Sequence, residues 1–467
     1  MKKALLINPP GAAYIRDDRC QVPARGLTSS LRMPLDLAYM AAGLERAGFI
    51  CRIKDYPAEK QTALDFIKEL KEFEPDILVV STTTPTLEND LADCALAREI
   101  DKKLLIVIKG AQVAVEAREI LQKYSAVDIG IKQEYEMAIE EIGQGKARSN
   151  ILGIAYRENG LINENQDRPY LSDLDRLPLP ARHLINNKLY VRPDTLEPQT
   201  SILASRGCGR GCMFCLVKTV SGEKINFRST ESIVSEIKKC LSEFGIKDFY
   251  FRADTFTANR SWVIDLCRQI IKADLKINWV CNSRVDTIDQ ELIQIMKQAG
   301  CWMIGFGLES GDQSMLDKMG KGINLAQIEK AVKFCQAGGL KTYLFFIYGL
   351  PWETEQSLEK TLRFALALEG DFVEFHQAYP FPGTDYYKLA LENNLFERNE
   401  LAGTNVFCSP ARSFELDRET LHKFRKKAMR KFYLRKKYIS KKLKDIDSLK
   451  KFKNYFRKAI NVFCGLW

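Results

Sequence analysis

The chain has 467 residues, 46% of them hydrophobic and 28% charged. That composition excludes a collagen-like, wholly disordered or small disulfide-stapled protein, and at roughly 150 residues per domain the length predicts about three units. No apolar run reaches the roughly 18 residues of a spanning helix. The apolar stretch after Lys2 and Lys3 is too short for a signal peptide, so a cytoplasmic protein is expected. The formal charge of +10 is uneven: residues 421–467 hold 17 Lys and Arg against only Asp445 and Asp447. The body is therefore mildly acidic, and the tail is suited to phosphates on lipid or on RNA.

Residues 1–145 alternate strand and helix. Strands are predicted over 4–8, 49–55, 76–81, 104–109 and 127–131, and helices over 34–47, 62–73, 87–100 and 116–124. The alternation predicts an α/β, doubly wound parallel sheet, without the Gly-x-Gly-x-x-Gly fingerprint of dinucleotide binding. In such sheets ligands sit at the carboxyl ends of the strands. Here those ends carry Asn8, Ser81, Thr82, Thr83 and Thr84, Gly110, Ala111 and Gln112, and Gln133 and Glu134. Small and hydroxyl side chains there either admit a large ligand or are ordinary turns.

Residues 146–199 read as a connector. Pro178 and Pro180 favour an extended strap packed on the surface. Residues 200–403 then show strands over 200–205, 248–252, 277–282, 302–307, 341–347 and 372–378. Helices fall at 230–244, 261–273, 289–299, 324–337 and 354–367. Parallel strands joined by helices make a partial βα barrel or open sheet, with the active site on the loops after the strands.

Thirteen scattered cysteines in a cytoplasmic chain argue against a disulfide framework, and most read as small buried hydrophobes. Cys208, Cys212 and Cys215 differ. Their Cys-x3-Cys-x2-Cys spacing, eased by Gly207, Gly209 and Gly211, can wrap three thiolates around one face of an iron–sulfur cube. A fully ligated cluster needs four cysteines, so one iron is left open to a further ligand. Zinc fits poorly, because His183, His376 and His422 all lie outside this loop. Three chance cysteines are the remaining alternative.

Cys-x3-Cys-x2-Cys after the first strand of a βα barrel resembles the radical S-adenosylmethionine (SAM) superfamily. The wider pattern resembles its cobalamin-binding subfamily over roughly residues 1–400. The stretches that carry it are Leu6-Ile7-Asn8-Pro9-Pro10, Pro34-Leu35-Asp36-Leu37-Ala38-Tyr39-Met40-Ala41, Leu174-Asp175-Arg176-Leu177-Pro178, Phe306-Gly307-Leu308-Glu309-Ser310-Gly311 and Gly349-Leu350-Pro351-Trp352-Glu353-Thr354. The resemblance implies a Rossmann-like cobalamin-binding domain over 1–145, a connector over 146–199, a TIM-type radical SAM partial barrel over 200–403 and a basic helical extension over 404–467. It implies a [4Fe-4S] cluster on Cys208, Cys212 and Cys215 whose open iron chelates SAM. One-electron cleavage of SAM then yields a 5′-deoxyadenosyl radical.

The same resemblance places Phe214 near adenine and Asp254 and Thr255 near the methionine ammonium. Ser283 and Arg284 suit the carboxylate or ribose, and Glu309 the ribose hydroxyls or ammonium. For cobalamin it points to Asn8, Ser81, Thr82, Thr83, Gly110, Ala111 and Glu134. No histidine precedes His183, so no lower axial imidazole is predicted, and Gln133-Glu134 replaces the subfamily's usual Gly-Glu.

The main functional expectation is methylation of an unactivated carbon with cobalamin. The alternative is radical cyclisation, coupling or rearrangement of a small-molecule or lipid substrate such as an isoprenoid. A tRNA-modifying enzyme ranks low, because Cys20, Cys51 and Cys94 lack close spacing and the tail reads as helical; nucleic acid is not an expected partner. A flavodoxin or ferredoxin is the expected electron donor. Cys281, Cys301, Tyr348, His376 and Tyr379 are candidate hydrogen donors or proton acceptors. In the tail, Leu449, Phe452, Phe456, Ile460 and Phe463 form one helix face, flanked by Lys450, Lys451, Lys453, Arg457 and Lys458, with Trp467 at the end. That helix lies either at a membrane interface, on its inner face, or against the barrel.

Overall fold

A computed structural model describes residues 1–24, 31–444, 446, 453, 455, 456 and 460. The strands are β1 (Lys3–Asn8), β2 (Tyr14–Asp17), β3 (Cys20–Pro23), β4 (Ile50–Asp55), β5 (Ile77–Ser81), β6 (Leu105–Lys109), β7 (Ile129–Ile131), β8 (Ile154–Glu158) and β9 (Leu161–Glu164) in the first half. The second half carries β10 (Gln199–Leu203), β11 (Ser205–Arg206), β12 (Asn226–Phe227), β13 (Asp248–Arg252), β14 (Asn278–Ser283), β15 (Cys301–Glu309), β16 (Lys341–Tyr348) and β17 (Phe372–Gln377).

The first sheet runs β4-β1-β5-β6-β7-β8-β9. β5 is buried along its whole length, because helices cover both faces. Side chains divide by the period of two: Leu6 and Val79 enter one core, and Leu5, Ile7, Leu78 and Val80 enter the other. The expected parallel sheet needs one correction. β8 pairs antiparallel with β7, and β9 antiparallel with β8, so two strands of the expected strap extend the sheet. The turn between them is Asn159-Gly160, both at positive φ (50° and 79°), a two-residue hairpin signal that the strap reading passed over. β2 and β3 form a second hairpin that the sequence reading did not anticipate.

The second sheet runs β10-β13-β14-β15-β16-β17, all parallel and in chain order, an open partial barrel. Its wall is filled by rings: Phe251 lies 5.6 Å from Phe256 and 5.1 Å from Trp279. An open sheet leaves two edges of unpaired backbone groups. At the β10 edge, the connector's buried Arg182 donates to Ser201 O (2.7 Å). The connector is packed against the body of the protein: Leu174, Ala181 and Tyr190 are also buried. At the β17 edge, alternate residues are each satisfied. The Tyr433 hydroxyl accepts from Val373 N (2.9 Å) and donates to Val373 O (2.7 Å). Arg425 Nε donates to Phe375 O (3.0 Å), and Val406 O accepts from Gln377 N (2.7 Å).

Tyr433 and Arg425 belong to the helix Arg418–Tyr433, followed by the helix Lys436–Lys444. Of the predicted tail face, Leu449, Phe452 and Phe463 lie outside the described residues, as do Lys450, Lys451, Arg457, Lys458 and Trp467. Phe456 and Ile460 are helical and exposed. Among the described residues, no helix is long and apolar enough to cross a membrane.

Candidate active site

A cavity of about 590 Å³ runs along the second sheet, from Asp254, Arg284 and Glu309 at the carboxyl ends of its strands to Gln199, Trp302 and Phe372 at their amino ends. The cysteine loop enters it directly after β11. Gly207 stands at φ +93°, and a Cβ there would lie 2.0 Å from Lys224 O, so only glycine fits. Its N–H donates to Asp254 Oδ2 (2.7 Å), Cys208 N to Gly222 O (3.1 Å) and Cys215 N to Cys212 O (3.0 Å). All three thiols are half-buried. Cys208 Sγ lies 3.9 Å from Thr255 Oγ1, and Cys212 Sγ lies 3.8 Å from Gly320 O. Burial pushes the Cys215 thiol up to about 12, so a thiolate there needs positive charge beside it. Among the described residues, no three Cys, His, Asp or Glu side chains converge on a point that a single ion would fill.

Of the residues expected to meet SAM, Asp254, Ser283, Arg284 and Glu309 line this cavity together with Cys215. Thr255 is buried beside Cys208, and Phe214 packs against the barrel core; neither lines the cavity. Asp254 is committed on both oxygens, to Gly207 N and to Arg19 Nη1 (2.6 Å). Ser283 Oγ accepts from Thr257 N (3.3 Å). Arg284 makes a two-pronged contact with Asp286 (2.9 and 3.0 Å) and donates to Lys321 O (3.0 Å). Glu309 ends β15 at φ +65° and accepts from Lys321 Nζ (2.6 Å). Lys321, which the sequence reading missed, is buried. Burial works against its charge, but Glu309 and the neighbouring Cys212 outweigh it and hold its pKa above the usual value.

The residues expected to meet cobalamin lie at the strand ends of the first sheet. Asn8, Ser81, Thr82, Thr83, Ala111 and Glu134 are all buried. Ser81 O accepts from Arg16 Nη1 (2.6 Å), Thr82 Oγ1 donates to Lys109 O (3.0 Å), and Thr83 Oγ1 meets Thr86 Oγ1 (2.7 Å). A Cβ on Gly110 would lie 2.3 Å from Thr82 Oγ1, so glycine is needed there by the fold itself. Glu134 pairs with Arg206 (3.3 Å), while burial pushes its carboxyl up. Asn8 Oδ1 and Thr84 Oγ1 are buried with no hydrogen-bond partner among the described residues.

Between the two sets of strand ends lies the β2–β3 hairpin, through a buried charge network. Arg19 pairs with Asp17 (2.9 Å) and Asp254, and Arg252 of β13 pairs with Asp17 (3.0 Å) and Asp36. Lys109 of β6 reaches Asp36 (2.8 Å) and Asp18 (3.2 Å). Burial opposes ionisation of Asp36, but Arg252 and Lys109 outweigh it and hold its carboxyl below the usual range. Ile15, Arg19 and Val22 of this segment also line the cavity, which thus takes one wall from each half of the chain.

Residues 202–365 match the model of the Radical SAM superfamily, and residues 31–143 match that of the B12 binding domain. The chain is 30% identical over 443 residues to an uncharacterized methyltransferase of Pyrococcus horikoshii, covering 94% of each protein. It is 27% identical over 375 residues to the anaerobic magnesium-protoporphyrin IX monomethyl ester cyclase of Cereibacter sphaeroides, covering 76% of this chain and 60% of that enzyme. The fold resembles that of the radical S-adenosylmethionine methyltransferase TsrM from Kitasatospora setae. The TM-score is 0.66 at 17% identity, over 84% of this chain and 76% of the other.

Proposed function

The chain belongs to the radical SAM superfamily, with a B12-binding domain ahead of the radical domain, and from that membership we propose that it methylates an unactivated carbon of a small molecule. The observation that carries this reading is the shared cavity: the cysteine loop, the Glu309–Lys321 pair and the β2–β3 hairpin, which is tied by Asp17, Asp18 and Arg19 to both halves, all border one space. When bound, the cluster, SAM and cobalamin supply the electron transfer, the 5′-deoxyadenosyl radical and the methyl group.

The protein's part is to hold and to shield. Cys208, Cys212 and Cys215 are the cluster ligands in this reading, and the Asp254–Gly207 hydrogen bond fixes the loop that carries them. Ser283, Arg284, Glu309 and Lys321 offer both signs of charge to the amino acid end of SAM, with Thr255 behind the loop and Phe214 packed beside it. Trp302, Tyr343 and Phe345 give the cavity aromatic walls that exclude water from a reactive radical. For cobalamin, the unpartnered Asn8 Oδ1 and Thr84 Oγ1 suit the amide N–H groups on a corrin rim, with Ser81, Thr82, Thr83, Gly110, Ala111 and Glu134 around them. The protein is cytoplasmic in this reading and draws its electron from a flavodoxin or ferredoxin. The cyclase relative favours the second reading, a radical cyclisation, coupling or rearrangement without methyl transfer.

The test is anaerobic purification with added cobalamin, followed by iron, sulfide and cobalt counts and a search for products of SAM cleavage. One [4Fe-4S] cluster with stoichiometric cobalt, lost together with SAM cleavage in Cys212→Ala, is the expected result. A cluster without cobalt would overturn methyl transfer in favour of the second reading.

A further inference from the structure

The final helices carry features that the catalytic reading leaves unused. Leu434, Ile439, Leu443 and Phe456 are 40, 43, 59 and 59% exposed, yet all four also line the cavity. An opening of the cavity therefore lies among them. Ile460 is a further exposed apolar residue of this region, at 45%. The same region is strongly cationic, with 17 Lys and Arg against two Asp over 421–467. Some of that charge is matched inside the protein: Lys427 pairs with Glu359 (3.0 Å), Lys437 with Glu369 (2.5 Å) and Lys441 with Asp371 (2.8 Å). Lys423, Arg425 and Lys431 are matched as well, by Glu419, Glu374 and Glu359, while Lys426, Lys436 and Lys453 are exposed.

Large apolar side chains interleaved with lysines, around a cavity mouth, match one surface in both respects: a bilayer bearing negative headgroups. We propose that Leu434, Ile439, Leu443, Phe456 and Ile460, with Lys436 and Lys453, seat the enzyme on an anionic lipid bilayer. The exposed Leu, Ile and Phe side chains enter the boundary between headgroups and acyl chains, and the lysines meet headgroup phosphates. The cavity mouth then faces the lipid. Apolar insertion alone would not distinguish neutral from anionic lipid; the lysines make that distinction, at about fivefold in affinity for each charge near the surface. This seat serves the cavity assigned above to the substrate, but it stands on exposure and charge and not on the reaction.

The test is co-sedimentation of the full-length, cluster-loaded protein with phosphatidylcholine vesicles, with and without phosphatidylglycerol. Tight binding to the mixed vesicles is expected, weakened at least about tenfold by pure phosphatidylcholine or high salt. The double variant Lys436→Glu/Lys453→Glu should weaken it about 20-fold or more, and Ile460→Glu should weaken it on both vesicle types. Iron content and circular dichroism establish that each variant is folded. Equal binding to neutral and anionic vesicles, no binding to either, or variants that bind like the parent would each overturn the proposal. SAM cleavage measured on the same preparation separates the two readings. Cleavage without vesicle binding sinks the membrane seat alone, and vesicle binding without cleavage sinks the proposed activity alone.

Discussion

Gly207 and Glu353 show how much one side chain decides. Replacing Gly207 with Ala would force a Cβ to within 2.0 Å of Lys224 O at a φ of +93°, so the loop must move. The expected result is a folded protein that retains well under half of the parent's iron after reconstitution, measured by iron and sulfide assay. Glu353 is buried, accepts from Gly349 N (3.2 Å) and is pushed from 4.5 up to about 7, mainly by loss of water around the carboxylate. A carboxyl whose pKa is raised on folding favours the folded state most at low pH. Its contribution is full below about pH 4.5 and lost as pH rises through 7, a change of about 3 kcal/mol. Glu353→Gln should flatten the stability curve between those limits in denaturant titrations. At this scale the cysteine triad was legible, because its spacing is local. Lys321 was not, because its partner Glu309 lies 12 residues away and meets it only through a left-handed turn at the end of β15.

Elements were legible where periodicity was long. The six strands of the second sheet fall within a residue or two of expectation, since stretches rich in β-branched and aromatic residues alternate there with long helical patterns. Short paired strands were not: β2, β3, β8 and β9 are four or five residues each and gain their stability from pairing, not from pattern. The role of the helix Arg418–Tyr433 was also hidden, because a sequence does not announce which sheet edge a tyrosine will complete. Tyr433→Phe removes the one hydroxyl that serves both Val373 N and Val373 O. Leaving those buried groups unmatched should cost about 1–3 kcal/mol in chemical unfolding, with little change in the iron content of the folded protein.

At the scale of the whole molecule, the charge network around Arg252 binds the two halves. Arg252→Met keeps the volume and removes the cation between Asp17 and Asp36. Asp17 keeps Arg19 and Asp36 keeps Lys109, but both lose the cation they share, which should destabilise the protein by about 3 kcal/mol. In calorimetry, one transition should separate into two as the halves uncouple. The partial barrel has a consequence for how such a chain can change over generations. Its two open edges are closed by side chains from outside the sheet, Arg182 on one and Arg425 and Tyr433 on the other. A gene shortened before residue 418 would therefore yield a protein with a bare strand ready to pair with its neighbours, and selection would meet aggregation before it met any change in chemistry. The C-terminal extension is thus bound to be inherited with the half-barrel, and new substrate preferences can accumulate on it without its being shed.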